Sequence, residues 1–183
     1  GIYTNPQETG AEWERPVHLE IYEADGTAAV SQNIGARING GSTRSLAQKA
    51  LRLYAKKEYD EDNPEIQYEL FPGLTNDYDG EAMTTFKRIL LRSSGNDNNG
   101  TLFQDAMVQE SLEGLNLNTQ ASQPCVAFVN GEFWGIYNLR ERYDNHYFAN
   151  HYGIDKDKVA MLSISQGSST PEVDEGDETD LAY

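Results

Sequence analysis

Residues Arg37 to Lys57 read RINGGSTRSLAQKALRLYAKK, and six of the chain's fourteen Lys and Arg residues fall there (Arg37, Arg44, Lys49, Arg52, Lys56 and Lys57). Like charges crowded together oppose folding unless something offsets them, so this concentration in an acidic chain points to an anion. Its centre, Asn39-Gly40-Gly41-Ser42-Thr43, combines glycine with small hydroxyl side chains. Such a loop turns sharply and offers backbone N–H groups to an oxyanion with no Cβ in the way. Beyond it, Lys49, Leu51, Leu53 and Ala55 alternate with Ala50, Arg52, Tyr54 and Lys56, the period of a strand. The stretch predicts a strand ending near Ile38, a loop carrying Arg44, and a second strand starting at Lys49. It has neither the GxxxxGK[ST] spacing of a P-loop nor the GxGxxG of dinucleotide sites. On pattern alone, a phosphate loop and a basic hairpin paired with nearby carboxylates both remain open.

Working outward, VHLEIY (17–22) alternates as a first strand and turns at Asp25-Gly26; residues 28–38 form a second, with Gly35 a bulge or a point of close approach. Residues 1–16 read as a connector. Residues 58–81 carry nine carboxylates and no Lys or Arg, and read as a surface excursion around YELF. FKRILLRS (86–93) is a strand with apolar burial, SGNDNNG (94–100) a loop, and Thr101 opens a helix, TLFQDAMVQESLEGLNL. Two strands meet at Asn130-Gly131, a type I′ hairpin signal, within VAFVNGEFWGIYNLRERY. A short helix over 144–152 and a strand over 158–164 follow. The acidic remainder, 165–183, reads as a flexible tail or a linker. The order gives an α+β fold, one antiparallel sheet with a helix packed on it.

A net charge of −16 over 183 residues argues against non-specific nucleic-acid binding and against docking on anionic membrane. No run of about 18 apolar residues is present to insert in a bilayer. Cys125 has no second cysteine to pair with and sits in an apolar run, as a small buried hydrophobe does. His18, His146 and His151 have no zinc spacing, and no metal ligands are predicted in this chain.

Three pieces, taken together and in order, resemble the spore coat protein H (CotH) kinase family, atypical protein kinases with a two-lobed fold. They are the basic loop above; FKRILLRSSGND with the helix TLFQDAMVQESL; and the hairpin VNGEFWGIYNLRERYD. The family's first pattern falls on Arg37, Gly40, Gly41, Arg44, Lys49 and Arg52, and its hairpin pattern on Asn130, Gly131, Glu132, Gly135, Tyr137, Glu141 and Asp144. The resemblance covers about residues 13 to 164 and implies an N-terminal kinase lobe over 17–164.

That resemblance implies ATP and Mg²⁺ for the complete domain, and a secreted or cell-surface protein as substrate. Phosphoryl transfer needs cations around the triphosphate and carboxylates near the γ-phosphate. By analogy Lys49 contacts ATP phosphates, Arg44 assists from the loop, and Arg92 faces the same pocket. Asp105, or failing that Glu110, holds the lysine ammonium from the helix, while Glu141 marks the hinge where adenine sits. Each has a plainer role open to it: Arg92 paired with Asp97, Asp105 as a first-turn carboxylate, Glu141 in a surface ion pair. The catalytic and metal-binding carboxylates of a second lobe are expected beyond this chain, which is therefore expected to be inactive alone, with dimerisation through the uncovered surface as one consequence. The alternative is a non-enzymatic surface module docking an acidic partner.

Overall fold

The computed structural model describes residues 1–164, 167–177 and 179. In chain order its strands are β1 (Arg15–Tyr22), β2 (Ala28–Asn39), β3 (Ala50–Tyr54), β4 (Ile66–Gln67), β5 (Thr85–Phe86), β6 (Arg88–Arg92), β7 (Ser122–Val129), β8 (Glu132–Glu141), β9 (Met161–Ser163) and β10 (Glu172–Glu175). The helices are α1 (Gln104–Ser111) and α2 (Asn145–Tyr152). The expected α+β layout with a main antiparallel sheet is present. Six strands form that sheet in the order β1-β2-β3-β6-β8-β7.

The chain divides into two units. The first comprises residues 1–72 and 84–141 and contains the six-stranded sheet, the small β4–β5 ladder and α1. The second comprises residues 73–83 and 142–183, with α2 and the β9–β10 hairpin.

Alternation fixes the two faces of the large sheet, because paired residues share a face and neighbours along a strand oppose each other. Ala36, Leu53, Ile89 and Glu141 form one cross-strand row; Ile34, Ile38 and Leu139 lie on the same face, and all seven are buried. This is the apolar side. The row beside it, Arg37–Arg52–Leu90–Arg140, belongs to the other side.

The β7–β8 hairpin closes as its turn residues dictate. Asn130 and Gly131 both take positive φ (52° and 81°), which the primed turn demands and which Asn and Gly tolerate best. Trp134 stacks on Tyr137 within the hairpin (5.9 Å between centroids), in keeping with a packing role.

Three expectations need correction. The helix predicted from Thr101 begins at Gln104 and ends at Ser111. The Asp97 carboxylate accepts from Thr101 N–H (3.0 Å), Thr101 Oγ1 (2.8 Å) and Gln104 N–H (3.1 Å), closing the preceding loop instead of extending the helix. Leu102, at φ 68°, cannot belong to a right-handed helix, and Gly114 at φ 81° marks the chain's departure after the other end. Nor is the helix packed by an apolar stripe. None of its residues is buried, and it is tied down by polar contacts, among them Gln120 N–H to Gln109 Oε1 (2.6 Å).

The acidic segment expected to lack pattern contains β10, which pairs with β9 through Glu172↔Ser163 and Val173↔Leu162. Short polar strands form here because backbone pairing with β9 needs no apolar period. The remainder of that expectation falls partly on residues outside those described. The first sixteen residues, expected as a connector, are tied into the first unit: Glu14 is buried, and the carbonyls of Pro6 and Glu8 accept from Arg44.

Candidate functional site

Arg37, Arg52 and Arg140 occupy one register row, and alternation puts Arg88 and Arg92 on the same face, two residues either side of Leu90. Arg37 and Arg52 are direct cross-strand neighbours. Like charges placed opposite each other destabilise a sheet, so five arginines here need anions to offset them. In a chain of net charge −16, this face is a local reversal of sign.

Carboxylates meet it at both ends. At one end Glu14 accepts from Arg37 Nε (2.5 Å), from Lys56 Nζ and from the Tyr59 hydroxyl (2.8 Å). Burial raises the Glu14 pKa, but the bonds from Lys56, Tyr59 and Arg37 outweigh it and hold the carboxyl below its ordinary range. Gly35 permits this approach. A Cβ there would lie 2.5 Å from Glu14 Oε1 and 2.6 Å from the Tyr59 ring, which answers the expectation of close approach. Arg37 also lies over the Tyr54 ring at 4.7 Å.

At the other end Asp105, from the first turn of α1, meets both Arg140 Nη1 and Arg92. Arg92 Nε is 3.1 Å from Asp105 Oδ2, within ion-pair range but without hydrogen-bond alignment, so this buried N–H has no partner. Arg140 is 1 % exposed, and its Nε and Nη2 are likewise unpartnered. A narrow hollow of about 10 Å³, room for a single water, lies here, lined among others by Arg92, Ser94, Asp97, Asp105, Asn138 and Arg140. Its rim is strained: Ser94 and Leu102 both take positive φ (65° and 68°), unusual for a bulky residue such as Leu. The Leu102 carbonyl is held by Asn138 Nδ2 (2.9 Å) and Ser94 Oγ.

Of the residues nominated from sequence, Arg92 and Asp105 come together. Arg44, Lys49 and Glu141 do not join them. Arg44 is buried and donates to the carbonyls of Ile38 (2.7 Å), Pro6 (2.8 Å) and Glu8 (2.5 Å), fastening the N-terminal segment over the loop. Lys49 is 2 % exposed, donates to the Arg44 carbonyl (2.6 Å) and sits 5.0 Å from the Tyr3 ring centroid. Burial, then the Arg44 charge, lowers its pKa. The expected pairing of Asp105 with this ammonium is therefore corrected: Lys49 alternates with Arg52, out of phase with the arginine face. Asp105 holds arginines instead.

Glu141 is buried instead of lying at the surface, and is not near Lys49. It is 3 % exposed, its Oε2 accepts from Ala121 N–H (2.9 Å), and it pairs in register with Ile89. The pairings place it level with Leu53, four residues along β3 from position 49, about 13 Å at the usual strand rise. The expected Arg92–Asp97 pair is replaced by Arg92–Asp105, because Asp97 is committed to Thr101 and Gln104. Sequence reading missed Arg140 and Glu14. The arginines at every second strand position were visible, but only the strand order shows that they share a face.

Among the described residues no cluster of three or more candidate metal ligands occurs, and no helix is long and apolar enough to cross a membrane. A family model described as CotH kinase protein matches residues 36–182. No curated protein matches the chain.

Proposed function

The chain belongs to the CotH kinase family, and from that membership we propose that it forms the nucleotide-facing portion of an atypical protein kinase. In the complete molecule this would phosphorylate secreted or cell-surface proteins. The observation that carries the reading is the arginine row. Arg52 and Arg140 stand two strand spacings apart, from β3 to β8, about 10 Å, beside Arg37, which Glu14 already holds. A polyphosphate has the length and charge to offset such a row, and guanidinium forks fit phosphate oxygens two at a time. ATP, when bound, supplies the transferable phosphoryl group and Mg²⁺ neutralises its developing charge. The residues of this chain bind and orient the phosphates; no ligand set for the metal is assigned to them. Arg52, steadied by Nε donation to Asn39 Oδ1 (2.7 Å), lies centrally in the row.

A second reading draws on the same width. The row also suits an acidic protein segment held by a non-enzymatic surface module. Calorimetric titration of the chain with MgATP and with an acidic polypeptide such as polyglutamate separates them. For the nucleotide reading, ATP binding saturates, survives moderate salt, and weakens about tenfold in Arg52→Ala, the loss expected for one charged hydrogen-bonding group. Weak binding of both ligands that collapses together as salt rises would favour the module.

A further inference from the structure

We propose that Arg92 and Arg140 form a seat for a single phosphoryl group, which Asp105 occupies until a phosphate displaces it. The inference rests on the reading above, that this face meets phosphate, and assigns a place and a displacement mechanism to it. Two guanidinium groups share the Asp105 carboxylate at this end of the row, while Asp97, which also lines the hollow, is committed to Thr101 and Gln104. The unused donors have a particular arrangement. Arg140 gives Asp105 its Nη1, while Nε and Nη2 stay unpartnered. Those two N–H groups form one edge of the guanidinium plane, the fork that grips two oxygens of a carboxylate or phosphate at once. Arg92 Nε adds a third unpartnered donor.

A buried donor without an acceptor costs about 1–3 kcal/mol, and Arg140, at 1 % exposure, cannot turn to water for relief. An acceptor with more oxygens than one carboxylate would meet all three. A phosphate monoester or inorganic phosphate is such an acceptor. The first turn of α1, Gln104 to Ala106, lines the same hollow. Asp105 is the part able to leave: its side chain is 43 % exposed, whereas the Arg140 side chain is 1 % exposed. α1 has no buried residue, and polar contacts such as Gln120 N–H to Gln109 Oε1 are what hold it. Asp105 thus acts as an internal anion, offsetting the repulsion between the two arginines while the seat is unfilled.

The test is calorimetric titration of the whole chain with inorganic phosphate, and separately with ATP, at low ionic strength. Three variants accompany the wild type: Asp105→Asn, Arg92→Gln, and Glu132→Gln at the exposed hairpin tip as a control for removing any negative charge. Arg140 is left intact because its burial would confound folding with binding. Asp105→Asn is expected to tighten phosphate about tenfold and Arg92→Gln to weaken it about tenfold, with Glu132→Gln unchanged. Unchanged or weaker phosphate affinity in Asp105→Asn would overturn the proposal, making Asp105 a permanent partner of the arginines. An equal gain in Glu132→Gln would also overturn it, since general repulsion would then explain the effect. The ATP arm separates this from the nucleotide reading. If ATP binds equally well to all four proteins, the nucleotide reading stands and the seat falls. If the phosphate pattern appears without any ATP binding, the seat stands alone.

Discussion

Glu14 and Asp105 are both carboxylates set between two cations on one face of one sheet, yet their surroundings differ. Glu14 has a 2 % exposed side chain and three donors on its two oxygens. Arg37, Lys56, Tyr54 and Tyr59 close around it. Asp105 is 43 % exposed, and the arginines that hold it keep three N–H groups unpartnered. Buried polar groups in a stable fold are normally satisfied. The Glu14 end conforms, which marks it as structural; the Asp105 end departs from the rule beside two residues at positive φ. Unmet donors and backbone strain in one place are the marks of a site kept ready for something else.

Stability should expose this contrast first. Glu14→Gln leaves Arg37 and Lys56 facing each other without the buried anion between them, with Lys56 keeping only the exposed Glu58 (3.3 Å). Removing one member of a buried pair costs 3–5 kcal/mol; with Arg37 and Lys56 partly reached by water, about 2–3 kcal/mol is expected. Urea denaturation of wild type and variant reads this directly. A loss below about 0.5 kcal/mol would mean that Glu14 is no more structural than an ordinary surface carboxylate.

Acid should erase the same contribution. The folded-state pKa of Glu14 lies below the ordinary 4.5, so the folded chain releases this proton more readily than the unfolded chain. Its stabilisation is therefore complete above about pH 4.5 and is lost as pH falls through the depressed value. Asp60 and Asp97 are also lowered by hydrogen bonding to backbone N–H groups and titrate in the same range. The gap between wild type and Glu14→Gln isolates Glu14. That gap should be widest near neutrality and narrow steadily on acidification below pH 4.5; a gap constant with pH would assign the variant's loss to packing.

The same contrast explains how much the sequence disclosed. Strand alternation and the Asn130-Gly131 turn are local signals, and they located β1, β2, β3 and the β7–β8 hairpin closely. Arg92 and Asp105 were reachable because each sits in a short motif on its own element. Glu14 was not, since its partners Arg37 and Lys56 are 23 and 42 residues away and nothing in the turn-rich GAEWERP around it announces them. Arg140 was hidden for another reason. In NLRERY it reads as the solvent side of a hairpin, and only the placement of β8 between β6 and β7 gives it neighbours on both sides. Lys49 misled because its position in the motif says nothing about phase: one residue of alternation turns it from the arginine face to the Arg44 carbonyl.

The smallest effect is also the most discriminating. Asp105→Asn removes the anion between Arg92 and Arg140 but keeps an oxygen able to accept from Arg140 Nη1. Were Asp105 as structural as Glu14, this change would leave two facing guanidinium groups uncompensated at comparable cost. Its exposure argues for a smaller cost, because water reaches position 105 and Arg92, and the Asn oxygen still accepts from the buried Arg140. The arginines already live with three unmet donors, so the fold does not depend on complete satisfaction here. A stability loss of about 1 kcal/mol, between that of an exposed ion pair and that of a buried one, is expected in the same urea titration. A loss approaching that of Glu14→Gln would make the two ends equivalent, and Asp105 would then be a fixture of the fold with no reason to yield its place to phosphate.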